Sequence, residues 1–323
     1  MKHRNLNHNI MHKFIKEAAL SIGFDACGIA RAEALTEDAA FLQQWLAEGK
    51  QGEMGYLARN FEKRTDPRLM VPGCKSVVVV LLNYYTDKAQ PASAPRIAKY
   101  AWSTTDYHQV LKQKLLELEH KITAAYGAEC VNSDYQHSFV DSAPVLERRW
   151  AQRAGLGWIG KHTQLIATGI GSYCFIGVLM LTVETEYDEA VPDRCGKCSR
   201  CIDACPTKAL TGRSMDARRC ISYQTIEYKK KVEPEFQSLL TGRALGCDIC
   251  ADVCPWNKKW ARQHQHPELA PVEAIGRWES ADWQLLTPEV FSKTFKSSAI
   301  QRAGFRKLKE NIDIVTENKQ STS

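Results

Sequence analysis

Eight of the twelve cysteines lie between positions 195 and 254, and their spacing limits what that part of the chain can become. Cys195, Cys198, Cys201 and Cys205, the last followed by Pro206, read C-x2-C-x2-C-x3-C-P. Three thiolates so spaced close on one cubane while the fourth turns away to a second. Cys247, Cys250 and Cys254, again with a proline behind the last, form a shorter copy, C-x2-C-x3-C-P. Four ligands and three leave one position open, and Cys220 between the motifs fills it. Crossing over the last cysteine of each motif assigns Cys195, Cys198, Cys201 and Cys254 to one [4Fe–4S] cluster, and Cys205, Cys220, Cys247 and Cys250 to the other. Zinc also uses cysteines, but two zinc sites do not call for interlocked motifs that each end in Cys-Pro. A ferredoxin-like unit is expected here, carrying two low-potential clusters as a wire for electrons.

A wire needs a terminus, and the rest of the chain must hold it. With 323 residues, 44% of them apolar and 25% charged, the balance argues against a disordered or fibrous protein and favours one large domain plus a smaller one. Residues 1–12 are polar and lack the apolar core of an export signal, and no run approaches the roughly 20 apolar residues of a membrane span. A cytoplasmic protein with no membrane attachment is expected, its cysteines serving metal rather than disulfides, and a monomer. The remaining cysteines, Cys27, Cys74, Cys130 and Cys174, are scattered and read as small buried apolar residues.

Residues 11–47 show helical spacing broken at Gly23 and Gly28, which implies helices around a short strand. The β-branched run 76–82, behind a Pro-Gly turn, is the pattern of a strand buried on both faces, and 175–183 is a second such run. Segments 108–126 and 145–154 read as amphipathic helices. The fold class is therefore α+β: a mixed α/β domain over 1–190, the two-cluster domain over 191–260, and a helical C-terminal segment with a basic tail over 261–323.

The net charge of +6 is unevenly placed. Lys229, Lys230 and Lys231 form a run, Lys258, Lys259 and Arg262 follow the last clustered cysteine, and residues 290–323 hold seven Lys/Arg against three acids. Any one run reads as solvated surface; several runs flanking one cysteine domain point to a polyanion, RNA above all.

Two motifs mislead. Gly155–Gly160 spells G-x-G-x-x-G, but an amphipathic helix precedes it where a dinucleotide site needs a strand. Asp106–Tyr107–His108 begins like the D-x-H-x-x-G signature of proteins that ligate cobalt through histidine, but Leu111 stands at the glycine position. Asp141, in Val140–Asp141–Ser142–Ala143–Pro144, precedes a helix with a proline near its first turn, which would suit a helix cap.

That segment, with Val145–Leu146–Glu147–Arg148, Ala154–Gly155–Leu156–Gly157–Trp158–Ile159–Gly160–Lys161, Cys220–Ile221–Ser222–Tyr223–Gln224–Thr225–Ile226–Glu227 and Gly246–Cys247–Asp248–Ile249–Cys250, closely resembles the epoxyqueuosine reductases. Lys63–Arg64, Asp66–Pro67–Arg68 and Asp106–Tyr107–His108 belong to the likeness, which runs over about residues 18–257. The resemblance implies reduction of epoxyqueuosine to queuosine in the wobble position of tRNA, with electrons from an unidentified low-potential donor and a cobalamin held base-off in the α/β domain. It implies Asp141 as the catalytic acid, its carboxyl kept protonated by burial against the corrin. His108 would either assist in the pocket or be a satisfied interior histidine. Arg64, Asp141, Trp158, Lys161, Thr163, Ser222, Tyr223, Cys247 and Asp248 match cofactor-contact positions, Arg and Lys suiting the corrin's amide rim and phosphate. The C-terminal helical repeats of some members are not expected here. Rival readings are a reductive dehalogenase-like cobalamin enzyme, which usually carries an export signal, and a non-catalytic ferredoxin-type carrier, which would not need the large α/β domain.

Overall fold

The computed structural model describes residues 2–320. Among them eight strands form: β1 Ala26–Arg31, β2 Ser76–Asn83, β3 Arg96–Ile97, β4 Ser138–Phe139, β5 Gly157–Ile159, β6 Leu165–Ala167, β7 Cys174–Leu181 and β8 Arg243–Leu245. The main sheet is antiparallel in the order β1-β2-β7-β4. Because side chains alternate along a strand, β2 feeds two cores. Val78, Val80 and Leu82 meet Ile15 and Ala19 of the helix Lys2–Ile22 and Leu111 and Leu115 of the helix Tyr107–Tyr126. Val77, Val79 and Leu81 meet Trp150 and Ala151 of the helix Glu147–Arg153, with Leu35 and Val71. All six β2 side chains are fully buried, each contributing about 1.5–3 kcal/mol, as the β-branched run implies.

Gly28 on β1 sets the position of the next layer. A Cβ there would fall on the carbonyl oxygen of Ala154, so only glycine lets the end of helix Glu147–Arg153 rest against the strand. That helix starts later than its pattern suggests, at Glu147 with Leu146 in the cap position. Asp141 lies six residues upstream and caps nothing.

A third core joins three separated stretches. Ala94, Ile97 and Trp102 pack with Ile221, Leu240 and Leu245 and with Trp283, Phe295, Leu308 and Ile312. β3 pairs with β8 in parallel, and the C-terminal helix Phe305–Gln320 lies on β8, where buried Asn311 donates from Nδ2 to the carbonyls of Thr225 and Ala244, both at 2.9 Å. The segment after Trp256 is helical, as composition implied. Cys27, Cys74 and Cys130 are buried, whereas Cys174 is partly exposed at the start of β7. No helix among the described residues is long and apolar enough to cross a membrane.

Candidate active site and cluster cradle

A cleft of about 270 Å³ opens at one end of the main sheet, walled by Tyr84, Tyr100, Tyr107 and Phe175 on its apolar side and by Asp141, Glu147, Arg148 and Gln164 on its polar side. Tyr107 stacks on Phe175 with ring centroids 4.0 Å apart and planes 1° from parallel, and on its neighbour His108.

Asp141 follows edge strand β4. Val140 is buried, Ser142 N–H donates to the Val140 carbonyl at 2.5 Å, and Asp141 takes the left-handed φ of 54° at the apex. Asp tolerates that conformation better than most residues. The turn drives the carboxylate into the cleft mouth, where 46% of the side chain stays exposed.

The carboxylate is not alone. His108 Nε2 lies 3.1 Å from Asp141 Oδ2, and its Nδ1 lies 2.7 Å from Asp106 Oδ1. Asp106 also caps the helix Tyr107–Tyr126 by accepting from the His108 N–H. Arg302, from the short turn Ala299–Arg302, donates from Nη1 to Asp141 Oδ2 at 2.9 Å and from Nη2 to Glu227 Oε1 at 3.0 Å. Burial would pull His108 down, but the hydrogen bonds and charges of Asp106 and Asp141 lift it to about 9. Burial would lift Asp141, but the His108 bond and the Arg302 charge bring it to about 2. In this arrangement two cations face the carboxylate and hold it charged, unlike the neutral acid expected against a corrin. The carboxyl that burial does push up, to about 7, is Glu147, whose Oε1 has no hydrogen-bond partner. It lines the same cleft and can carry a second proton near neutral pH.

The other expected cofactor positions divide. Arg64 is buried, donates to the Tyr56 carbonyl at 3.2 Å and leaves Nε unpartnered. Thr163, at φ 65°, leaves Oγ1 unpartnered while its carbonyl accepts from Arg148 at the cleft wall. Trp158 is fully buried edge-on to Trp256 and Trp260, its Nε1 also without a partner. These orphaned donors suit an amide-rimmed ligand, because a buried polar atom left unpaired is costly. Asp248 accepts from the Lys99 N–H at 2.8 Å and is pushed up by burial to about 6. Lys161 turns away from the cleft, its ammonium donating to the carbonyls of Gly196 and Cys198 at 2.8 and 2.9 Å. Ser222 stands just before the π-helical turn Tyr223–Glu227 without a capping hydrogen bond, and the Tyr223 hydroxyl accepts from the Glu53 N–H, beside Gly52.

All eight clustered cysteines are free thiols. Besides burial, the charges acting on Cys201 come from Cys254 and Cys195. Those on Cys220 include Cys205, those on Cys247 include Cys220, and those on Cys250 include Cys247, Cys220 and, across the two sets, Cys201. Gly246 holds the second set in place: at φ 69° it crosses against Ala98, too close for any Cβ, and its N–H donates to Thr225 Oγ1. A Cβ on Gly246, the neighbour of Cys247, would also lie 3.2 Å from the ring of Tyr100 in the cleft wall, so this second set is next to the cleft. Eight unpaired thiols are the number that two [4Fe–4S] clusters take.

Sequence reasoning did not assign Arg302 or Glu147. Glu147 stands inside the quoted motif, and its burial against a carboxylate-rich cleft was the missing fact. Arg302 is far along the chain with no motif around it, and only the third core brings it to Asp141.

A family profile described as "4Fe-4S double cluster binding domain" matches residues 194–257, and one described as "Epoxyqueuosine reductase QueG, DUF1730" matches residues 64–142. The chain is 45% identical over 305 residues to an epoxyqueuosine reductase of Leadbetterella byssophila, covering 94% of this chain and 98% of that protein. Among solved structures it is similar to an epoxyqueuosine reductase with a tRNA-Tyr epoxyqueuosine-modified stem loop (TM-score 0.83, 29% identity, 96% of this chain and 81% of that one). It is equally similar to an epoxyqueuosine reductase from Bacillus subtilis with its catalytic aspartate loop swung out of the active site (TM-score 0.82, 28% identity, 96% and 81%).

Proposed function

The chain belongs to the epoxyqueuosine reductase family of oxidoreductases, with a double [4Fe–4S] domain, and from that premise we propose that it reduces epoxyqueuosine to queuosine in the tRNA wobble position, drawing electrons through both clusters with a base-off cobalamin in the cleft and Asp141 as proton donor. The observation that carries the mechanism is the proton-bearing His108–Asp141 pair at the mouth of a cleft that adjoins the second ligand set.

Removing an epoxide oxygen as water takes two electrons and two protons. Arg64, Thr163 and Asp248 would hold cobalamin, with Trp158, Ser222, Tyr223 and Cys247 around it and Lys161 braced on the cluster loop, and the bound group would supply low-valent metal chemistry. The chain's own residues manage the protons. His108 stores one, oriented by Asp106, and passes it through Asp141 to the leaving oxygen; Glu147 offers a second. Tyr107 and Phe175 keep the inner wall dry. Residues 1–190 would thereby form most of the cofactor and substrate site, 191–260 would hold the clusters and add Asp248 and its neighbours to that site, and the segment after 260 reaches back through Arg302 to the acid.

The tRNA partner of the solved relative is carried over as this chain's substrate. The test is anaerobic reconstitution with iron, sulfide and cobalamin, then nucleoside analysis of epoxyqueuosine-containing tRNA after reduction. Queuosine is the expected product; unchanged epoxyqueuosine with both cofactors loaded would refute the assignment.

A further inference from the structure

Resting on the cluster part of that reading, we infer that the loop over the first ligand set is the docking surface for an acidic, low-potential one-electron carrier protein. Arg194, Lys197, Arg200 and Lys208 alternate with Cys195, Cys198, Cys201 and Cys205, and all four cations are exposed. None of them has an ion-pair partner among the described residues. Nearby basic groups differ: Arg213 is taken by Asp193, and Arg218 by Asp216 at 2.7 Å. The one acid inside the stretch, Asp203, accepts from the Ser199 hydroxyl.

Thiolate-ligated clusters are anionic, and one task for a cation beside them is to balance that charge. A cation with that task turns inward, as Lys161 does onto the carbonyls of Gly196 and Cys198. The four on the loop put their heads into solvent instead. The two ends of the wire also differ in place: the second ligand set adjoins the cleft where substrate must enter, while Cys195, Cys198 and Cys201 lie within the cationic loop itself. Electrons therefore enter at the loop and leave at the cleft, and carrier and tRNA need not compete. Each docking passes one electron from the reduced carrier to an oxidised cluster with no atom exchanged, and two dockings supply one turnover. Facing charges raise the rate of such encounters by roughly 10- to 1,000-fold, an advantage that salt removes.

The experiment follows cluster bleaching by stopped flow in the reconstituted protein, without tRNA, using photoreduced flavodoxin as the acidic carrier and dithionite as the small reductant. Lys197→Glu/Arg200→Glu, with iron content checked first, is expected to slow reduction by flavodoxin at least tenfold at low salt, and the neutral Lys197→Gln/Arg200→Gln pair by less. Salt should slow the wild type toward the charge-reversed variant. Reduction by dithionite and affinity for a tRNA anticodon stem loop should stay within twofold. Unchanged flavodoxin rates would overturn the inference. Equal slowing with dithionite would show that the cations only balance cluster charge, and weakened stem-loop binding would make the loop an RNA surface; either result also overturns it. A wild-type protein without reducible clusters would overturn the cluster reading itself, whereas normal bleaching without queuosine formation would leave docking intact and count against the activity alone.

Discussion

Replacing Asp106 with asparagine tests where the proton is kept. Asparagine caps a helix about as well as aspartate, so the start of helix Tyr107–Tyr126 should survive. What disappears is a negative charge 2.7 Å from His108 Nδ1. His108 stands at about 9 because two carboxylates together outweigh burial. Removing one opposite charge at hydrogen-bond distance should lower it by about 1–2 pH units. At a pKa of about 9 the imidazole is ~99% protonated at pH 7, whereas at about 7.5 it is ~75% protonated. A group with a raised pKa is competent below that pKa and loses competence as pH rises through it. Single-turnover conversion under saturating reductant should therefore be level for the wild type and fall above about pH 9, with a slope of one proton. In Asp106→Asn the falling limb should move to about pH 7–8, with the low-pH plateau within a few-fold of wild type. A limb at the same pH in both proteins would refute the storage of the proton on His108, as would a wild-type profile that falls away above about pH 4.

Asp141→Asn keeps shape and most hydrogen bonding but cannot pass a proton on, so turnover should fall by roughly 10²–10⁴-fold with iron content and the cobalamin spectrum unchanged; near wild-type conversion would remove Asp141 from the mechanism. Reconstituted protein should contain about eight irons and eight acid-labile sulfides per chain, and Cys220→Ala should lose one cluster while keeping the other; zinc without sulfide, or two intact clusters in the variant, would refute the ligand count. The cob(II)alamin form should show no nitrogen superhyperfine splitting from an axial imidazole in electron paramagnetic resonance. If splitting appears, the residue to test is His162, buried with Nε2 unpartnered and pushed down by burial to about 4.

The parts of this molecule that were legible in the sequence are those written in local periodicity or fixed spacing. The two-faced run of β2, the helix behind Asp106 and the eight thiolates each carry their meaning within a few residues. The acid's environment did not. The helix-cap reading of Asp141 rests on a proline-containing stretch before a helix, and the neutral acid on the family resemblance alone. The structure opens a left-handed turn there and brings Arg302 from 161 residues away. Long-range charge pairing of that kind leaves no periodic trace. Glu147, unpaired in a carboxylate-rich wall, was hidden for the same reason.

The third core has a consequence for how the protein is made. Gly246 and Cys247 follow directly on β8, and β8 is framed on one side by β3 and on the other by the helix Phe305–Gln320. The loop that presents half of the second ligand set therefore has no finished scaffold until nearly the whole chain has left the ribosome. Nascent chains would expose those thiols to oxygen and stray metal throughout synthesis. Cluster delivery to that set is thus a late step of maturation, and a chain that stops short of Asn311 should accumulate with the first cluster alone.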